Sequence, residues 1–220
     1  RQRQMCIRDR VYGDDFMDNK IEQLAKILRE SENIVFFGGA GMSTESGIPD
    51  FRSSNGLFNE KLNMTFTPEQ LVSHSFYIRY PKEFFNFYKQ KLIYPEAKPN
   101  KGHIALAKLE SLGKLKSIVT QNIDGLHQKA GSKNVFELHG SVLRNYCVKC
   151  HAFYDEKFIL ESKDIPTCTK CGGTVKPDVV LYEEGLDDNI IKEAIDAIQK
   201  ADTLIIGGTS LVVYPAAGLI

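Results

Sequence analysis

The sequence predicts an α/β fold, and three observations carry that reading. Short apolar runs empty into glycine or polar turns, as Ile34 to Phe37 does into Gly38-Gly39-Ala40-Gly41. Stretches of helical period separate these runs, so strands and helices alternate along the chain. Two Cys-x-x-Cys pairs, Cys147/Cys150 and Cys168/Cys171, then interrupt the alternation, seventeen residues apart. That spacing suits a four-thiolate zinc ribbon. The expected architecture is a Rossmann-like parallel sheet with helices on both faces, plus a small zinc-ribbon module and a helical insertion.

The elements follow in order. Ile21, Leu24, Ile27 and Leu28 place a helix before the first apolar strand. Residues 58–100 break the rhythm with an aromatic-rich helical stretch, where Thr67-Pro68-Glu69-Gln70 offers an N-cap, a first-turn proline and a capping-box partner. Phe84, Phe85, Phe87 and Tyr88 are expected to form that insertion's own core. A helix from His103 to Leu112, ended by Gly113, precedes a strand Ser117 to Thr120 that opens onto Gln121-Asn122-Ile123-Asp124-Gly125. A short strand, Val135 to Leu138, delivers His139-Gly140. Val179 to Tyr182, a helix from about Asn189 to Lys200, and a strand Thr203 to Ile206 close on Gly207-Gly208-Thr209-Ser210. The expected domains are a nucleotide-binding unit over residues 14–57, 101–140 and 174–220, the insertion at 58–100, and the zinc module at 141–173.

At 220 residues the chain has room for one main core with insertions. Lysine plus arginine (28) equals aspartate plus glutamate (28), so no net field attracts a nucleic-acid backbone or an anionic membrane. Small molecules or peptides are the expected partners, and a monomer the expected state. Four paired cysteines without a signal-type or membrane-length apolar run imply a reducing, cytoplasmic setting and metal in place of disulfides. The arginine-rich opening RQRQMCIRDR has no apolar period, so residues 1–13 are set apart as a non-native or disordered tail. At the other end, Ile220 directly follows a helix-opening stretch, and the chain is expected to lack its C-terminal portion.

Glycines 38, 39 and 41 after a strand let backbone N–H groups approach a pyrophosphate, although a structural tight turn explains them too. Gly39-x-Gly41-x-x-Thr44 lacks the third glycine of the dehydrogenase fingerprint, and no Lys-Ser/Thr follows to make a Walker site. Hydride transfer and nucleoside triphosphate hydrolysis are both disfavoured.

The longer string Gly39-Ala40-Gly41-Met42-Ser43-Thr44-Glu45-Ser46-Gly47-Ile48-Pro49-Asp50-Phe51-Arg52 resembles the NAD loop of the sirtuin family. Gln121-Asn122-Ile123-Asp124-Gly125-Leu126-His127, His139-Gly140, the two cysteine pairs and Gly207-Gly208-Thr209-Ser210-Leu211 match the same family in the same order. The resemblance implies NAD-dependent protein lysine deacetylation: the acetyl group passes to ADP-ribose and nicotinamide is released. Removal of another short neutral acyl group, or mono-ADP-ribosylation, is the alternative activity it leaves open. A binding module without catalysis is the remaining class, against which Asn122-Ile123-Asp124 and His139 argue.

The same resemblance assigns residues. Gly39, Ala40, Gly41, Thr44, Gln121, Asn122, Gly208, Thr209 and Ser210 are expected around NAD. Asp124 and the backbone near Ile123 hold the nicotinamide carboxamide, and Phe51 shields the reactive ribose face. Asp50 and Arg52 organise the loop, or form no more than a surface ion pair. His139 is the expected catalytic base, since an imidazole can take a proton near neutral pH. Val179, Val180, Leu181 and Tyr182 are expected to meet the acetyl-lysine peptide by strand addition, with the Val180 carbonyl on the acyl-lysine N–H. The four cysteines close a tetrahedral shell, so the Zn2+ is structural, with His151 outside it. His74, His103 and His127 are read as packing residues.

Overall fold

A computed structural model describes residues 14–51, 56 and 66–220, with side chains from residue 19 onward. The tail 1–13, Arg52 and the opening of the insertion at 58–65 lie outside the described residues. The chain enters through α1 (Asp14–Glu30), crosses as β1 (Ile34–Gly38) and tightens into a 3-10 turn over Ala40–Ser46. The insertion supplies α2 (Pro68–Leu71), α3 (His74–Arg79) and α4 (Pro81–Lys91). Next come α5 (Lys101–Ser111), β2 (Leu115–Thr120), the single turn α6 (Leu126–Lys129) and β3 (Val135–Glu137). After β4 (Gly140–Cys147), β5 (Phe153–Tyr154), α7 (Glu156–Glu161) and β6 (Val175–Val179), α8 (Asp188–Lys200) leads to β7 (Thr203–Gly207).

Four parallel strands run in the order β3-β2-β1-β7. Ile34, Val35, Phe36 and Phe37 are all buried because helices cover both faces of β1. Val35 and Phe37 pack with Ala194 and Ile198 of α8, whereas Ile34 and Phe36 pack with Leu106 of α5 and the half-buried Leu28 of α1. A strand buried on both sides reads as the continuous apolar run seen here. Gly38 lies opposite both Thr120 and Gly207, and Thr120 lies opposite Glu137, so the strands end on one rim. β1 has later strands on each side, which places a crevice at that rim.

The helix ends follow local chemistry. Thr67 and Gln70 make the reciprocal capping box expected from the sequence, with Pro68 in the first turn. Asn100 caps α5, accepting from the backbone N–H groups of Gly102 and His103, and Gly113 ends that segment at φ +72°.

Two expectations change. β6 covers Val175–Val179 and pairs antiparallel with β4 in a separate sheet, β5-β4-β6, so of the strand read at Val179 to Tyr182 only Val179 is strand, and it does not join the parallel sheet. Period and composition mark a strand but leave its partner open. The aromatic cluster of α4 is also not private to the insertion. Phe84, Phe85, Phe87 and Tyr88 share one core with Val142, Ile159, Val175 and Leu181, so insertion and small sheet form a single lobe. Short helices alone bury too little apolar surface; each fully buried Phe or Leu contributes roughly 1.5–3 kcal/mol.

His103 and His127 are enclosed behind the loop after β2, with ring centroids 4.8 Å apart. Burial, and then the neighbouring His103, push His127 down to about 4. An imidazole with a depressed folded pKa contributes stability that is present above its unfolded pKa of about 6.5 and is lost as pH falls through the folded value. Urea unfolding is therefore expected to show stability falling by roughly 3 kcal/mol between about pH 6.5 and 4 on account of His127. A His127→Gln variant with an undiminished slope over that window would refute the assignment.

Candidate active site

The rim of the parallel sheet carries the site because each strand ends on a segment singled out in the sequence. The turns after β1 and β7 touch through their backbones: Gly39 N–H donates to Gly207 C=O at 3.2 Å and Gly41 N–H to Gly208 C=O at 2.8 Å. Gly208 has φ +64°, and a Cβ there would lie 2.2 Å from the Met42 nitrogen. The close approach itself requires glycine at this position.

A cavity of about 620 Å³ opens beside these turns. Its wall includes Ala40, Gly41, Asp50, Phe51, Gln121, Asn122, Ile123, Asp124 and His139, together with Gly208, Thr209 and Ser210. Val179, Val180, Leu181 and Tyr182 line the same space from the small-sheet side. Phe51 and Ile123 also pack against the core of the second lobe. Gly39 and Thr44 do not line the cavity: Gly39 supports the turn, and the exposed Thr44 donates its hydroxyl hydrogen to Gly41 C=O at 3.0 Å.

Ser43, which sequence reasoning left out of the site, joins the loops. It is 1% exposed; its hydroxyl donates to Asp124 Oδ2 at 2.7 Å and accepts from Asn122 Nδ2 at 3.1 Å. The other oxygen of Asp124 accepts from Leu126 N–H at 2.9 Å, at the first residue of α6. Asn100 is a second omission: its Nδ2 donates to Met42 C=O at 2.8 Å and to Ser46 Oγ at 3.1 Å, tying α5 to the glycine loop. Asn-x-x-His marked its capping role locally, but nothing local marked its partners. Leu92 and Tyr94 of the insertion, and Val213, Tyr214 and Pro215 beyond β7, also reach the cavity.

His139 follows β3 with Nδ1 2.9 Å from the Gln121 carbonyl oxygen. A carbonyl only accepts, so Nδ1 carries the hydrogen and Nε2 keeps its lone pair. Burial lowers the His139 pKa from the ordinary 6.5, against the raising effect of that hydrogen bond, so the ring is neutral at pH 7.

The segment 176–184 is strand only to Val179. Val180 N–H donates to His139 C=O at 3.0 Å, which binds the end of β6 to the base. Tyr182 N–H donates to Val72 C=O at 3.1 Å and Tyr182 C=O accepts from His74 N–H at 3.0 Å, so this edge is stitched to the insertion. Arg144 braces the same corner, donating through Nη1 to Glu137 at 2.7 Å and through Nε to Asp178 at 2.8 Å.

The four cysteines gather apart from the cavity, with all Sγ atoms within 4.8 Å of one another. Backbone N–H groups of Lys149 and Lys170 approach Cys147 and Cys168 Sγ at 3.4 Å. The Tyr154 hydroxyl donates to Cys168 at 3.1 Å and is the chief cause bringing that thiol down to about 6. Four convergent sulfurs fit one structural Zn2+ and leave no position for water. His151 is exposed and outside the cluster.

Fold and cavity together define an α/β protein with an open cleft at the rim of its parallel sheet and a four-cysteine cluster apart from it. The Sir2 family model matches residues 39–215, and the chain belongs to the Sir2 family. It is 83% identical over 204 residues to an NAD-dependent protein deacetylase of Clostridium perfringens, covering 93% of this chain and 84% of that relative. A protein of the same name from Clostridium acetobutylicum is 63% identical over 203 residues, covering 92% and 83%. Among solved structures, a Sir2 variant with deacetylated p53 peptide and 3'-O-acetyl ADP ribose superposes with TM-score 0.82 at 42% identity, covering 90% of this chain and 80% of that one. A Sir2–p53 peptide–NAD+ complex gives 0.78 at 42% identity, with coverage of 90% and 80%.

Zinc-site closure contributes on the order of 10 kcal/mol in small zinc modules. Stripping the metal with a chelator is expected to raise amide hydrogen exchange across residues 147–175 while β1 and β2 keep their protection. A uniform rise over both sheets would contradict a locally structural metal.

Proposed function

We infer that the chain is an NAD-dependent protein deacetylase that removes the acetyl group from lysine side chains. One observation carries the reading: a neutral His139, its Nδ1 hydrogen occupied by Gln121, lines one cavity with the glycine loop and with Val179 to Tyr182. NAD supplies the acyl acceptor, since loss of nicotinamide leaves an ADP-ribosyl group able to receive the acetyl.

The chain's residues divide the remaining work. Ala40, Gly41, Gly208, Thr209 and Ser210 offer small side chains and backbone groups to the phosphates and ribose. Gly39 and Thr44 hold the first turn in shape. Asn122, Ile123 and Asp124 grip the carboxamide, with Ser43 fixing the Asp124 carboxylate through their 2.7 Å hydrogen bond. Gln121 orients His139, whose Nε2 accepts the ribose hydroxyl proton. Phe51 and Asp50 sit on the wall where a water-excluding loop is needed, and Arg52 belongs to that same loop by sequence. Val179 to Tyr182 receive the acyl-lysine peptide, and the Val180 carbonyl is aligned by the hydrogen bond from its own N–H to His139. Cys147, Cys150, Cys168 and Cys171 hold the zinc. Acetyl and other short neutral acyl groups are the substrate class. A cytoplasmic monomer working on acetylated proteins completes the reading. Among the described residues no helix is long and apolar enough to cross a membrane.

Mass spectrometry of an acetyl-lysine peptide incubated with the chain, with and without NAD, is expected to show acetyl loss and acetyl-ADP-ribose only with NAD. ADP-ribose transferred to protein without deacetylation would favour the transferase alternative. His139→Ala is expected to lower turnover by about 10²- to 10⁴-fold without loss of fold, as for removal of a general base. In the unmodified chain the acidic limb of kcat/KM is expected below about pH 6.5, because burial lowers the His139 pKa. Full activity of the alanine variant would remove His139 from the chemistry.

A further inference from the structure

The peptide-facing segment ends in a turn with an unusual occupant. Glu184 N–H donates to Leu181 C=O at 3.0 Å, closing a four-residue turn with Glu183 at its third position. Glu183 has φ +77°, a backbone region in which turns ordinarily place glycine. A β-carbon is strained there, and some interaction of the side chain must hold it.

The Glu183 carboxylate has such an interaction. Its Oε2 accepts from the backbone N–H of Ser75 at 2.8 Å and from the Ser75 hydroxyl at 2.6 Å, both in the first turn of α3. These bonds hold the carboxyl below the ordinary glutamate range. Around this anchor, Tyr182 bridges in parallel to Ser73, and Glu184 accepts from Leu181 N–H at 2.9 Å while facing His74 and Lys176. Leu181, Tyr182, Glu183 and Glu184 all line the cavity. The second lobe therefore grips the substrate edge through a residue whose backbone is disfavoured and whose side chain compensates.

We propose that Glu183 is a positioning residue for peptide binding: its carboxylate, anchored on Ser75, holds the Leu181–Glu184 turn in a left-handed geometry that sets the peptide-facing edge against the second lobe. This rests on the reading of Val179 to Tyr182 as the peptide-contacting segment. The Glu183 carboxylate is engaged by Ser75, so its effect should appear in peptide KM and leave kcat and NAD affinity in place.

Steady-state kinetics with an acetyl-lysine peptide, NAD titration calorimetry and thermal unfolding test the proposal on four variants. Glu183→Gln keeps an oxygen acceptor and is expected to hold peptide KM within about twofold. Glu183→Gly loses the anchor but relieves the backbone, and KM should rise several-fold. Glu183→Ala loses the anchor and keeps the strain, so its KM should rise about tenfold or more, the largest change in the series. Ser75→Ala removes only the hydroxyl bond and should resemble the glutamine variant. In all four, kcat and NAD Kd should stay within about twofold. A wild-type peptide KM in Glu183→Ala, an equal rise in the alanine and glycine variants, or parallel losses in kcat, NAD binding and melting temperature would each overturn the proposal. No deacetylation by the unmodified chain would instead count against the enzymatic reading on which it stands.

Discussion

Contact between the turn after β1 and the turn after β7 sets the spacing of the whole cleft. Gly41 N–H reaches Gly208 C=O at 2.8 Å only because neither residue carries a side chain at the crossing. The same crossing leaves Ser43 aimed at Asp124 and brings the Met42 carbonyl within reach of Asn100. A hydrogen-bonded path thus runs from the end of β7, through the glycine loop, to the loop after β2 and the start of α5. Each member is held by a neighbour on a different strand or helix. Glycines that resemble a nucleotide signature are therefore required here by the approach of the two chain segments, before any ligand is considered.

The second constraint is the union of insertion and small sheet. Their common aromatic and aliphatic core makes one wall of the cavity from two distant stretches of sequence. Tyr77, Phe84 and Phe85 meet edge to face at centroid distances of 5.2 to 6.1 Å, geometry that favours aromatic pairs beyond the area they bury. Arg144 then couples this lobe to the parallel sheet, because Glu137 lies on β3 and Asp178 on β6. Glu137 is 7% exposed, so removing Arg144 would leave a buried carboxylate uncompensated, a costlier change than losing a surface ion pair. His139 sits two residues beyond Glu137, and the brace therefore also steadies the segment that carries its ring.

What the sequence made legible was local. The capping box at Thr67, the apolar run of β1 and the two cysteine pairs need only neighbours within a few residues, and each has the expected form. Helices on both faces of a parallel sheet followed from the alternation of those local signals. Partnership was less legible. The strand read at Val179 to Tyr182 meets β6 only at its last residue, Val179, and the pairing of β6 with β4 joins residues some thirty positions apart. Ser43 lay inside the recognised loop, yet its bond to Asp124 spans 81 positions and its importance emerges only when two loops meet. Glu183 gave no signal at all, since a glutamate among glutamates does not announce a left-handed backbone.

The role proposed for His139 as base turns on a balance visible at that residue. Burial favours the neutral imidazole, which keeps a lone pair available at neutral pH, while the same pKa decrease weakens that lone pair as a proton acceptor. The Gln121 carbonyl opposes the decrease by stabilising the charged ring and simultaneously fixes the tautomer, so Nε2 is the acceptor before substrate arrives. Gln121 follows β2 and His139 follows β3, and the parallel register between those strands brings carbonyl and ring to 2.9 Å. The proton transfer proposed for this cleft therefore depends on strand pairing as directly as on the identity of the histidine: a shift of β3 against β2 would leave the ring in place in the sequence but without the partner that fixes its tautomer.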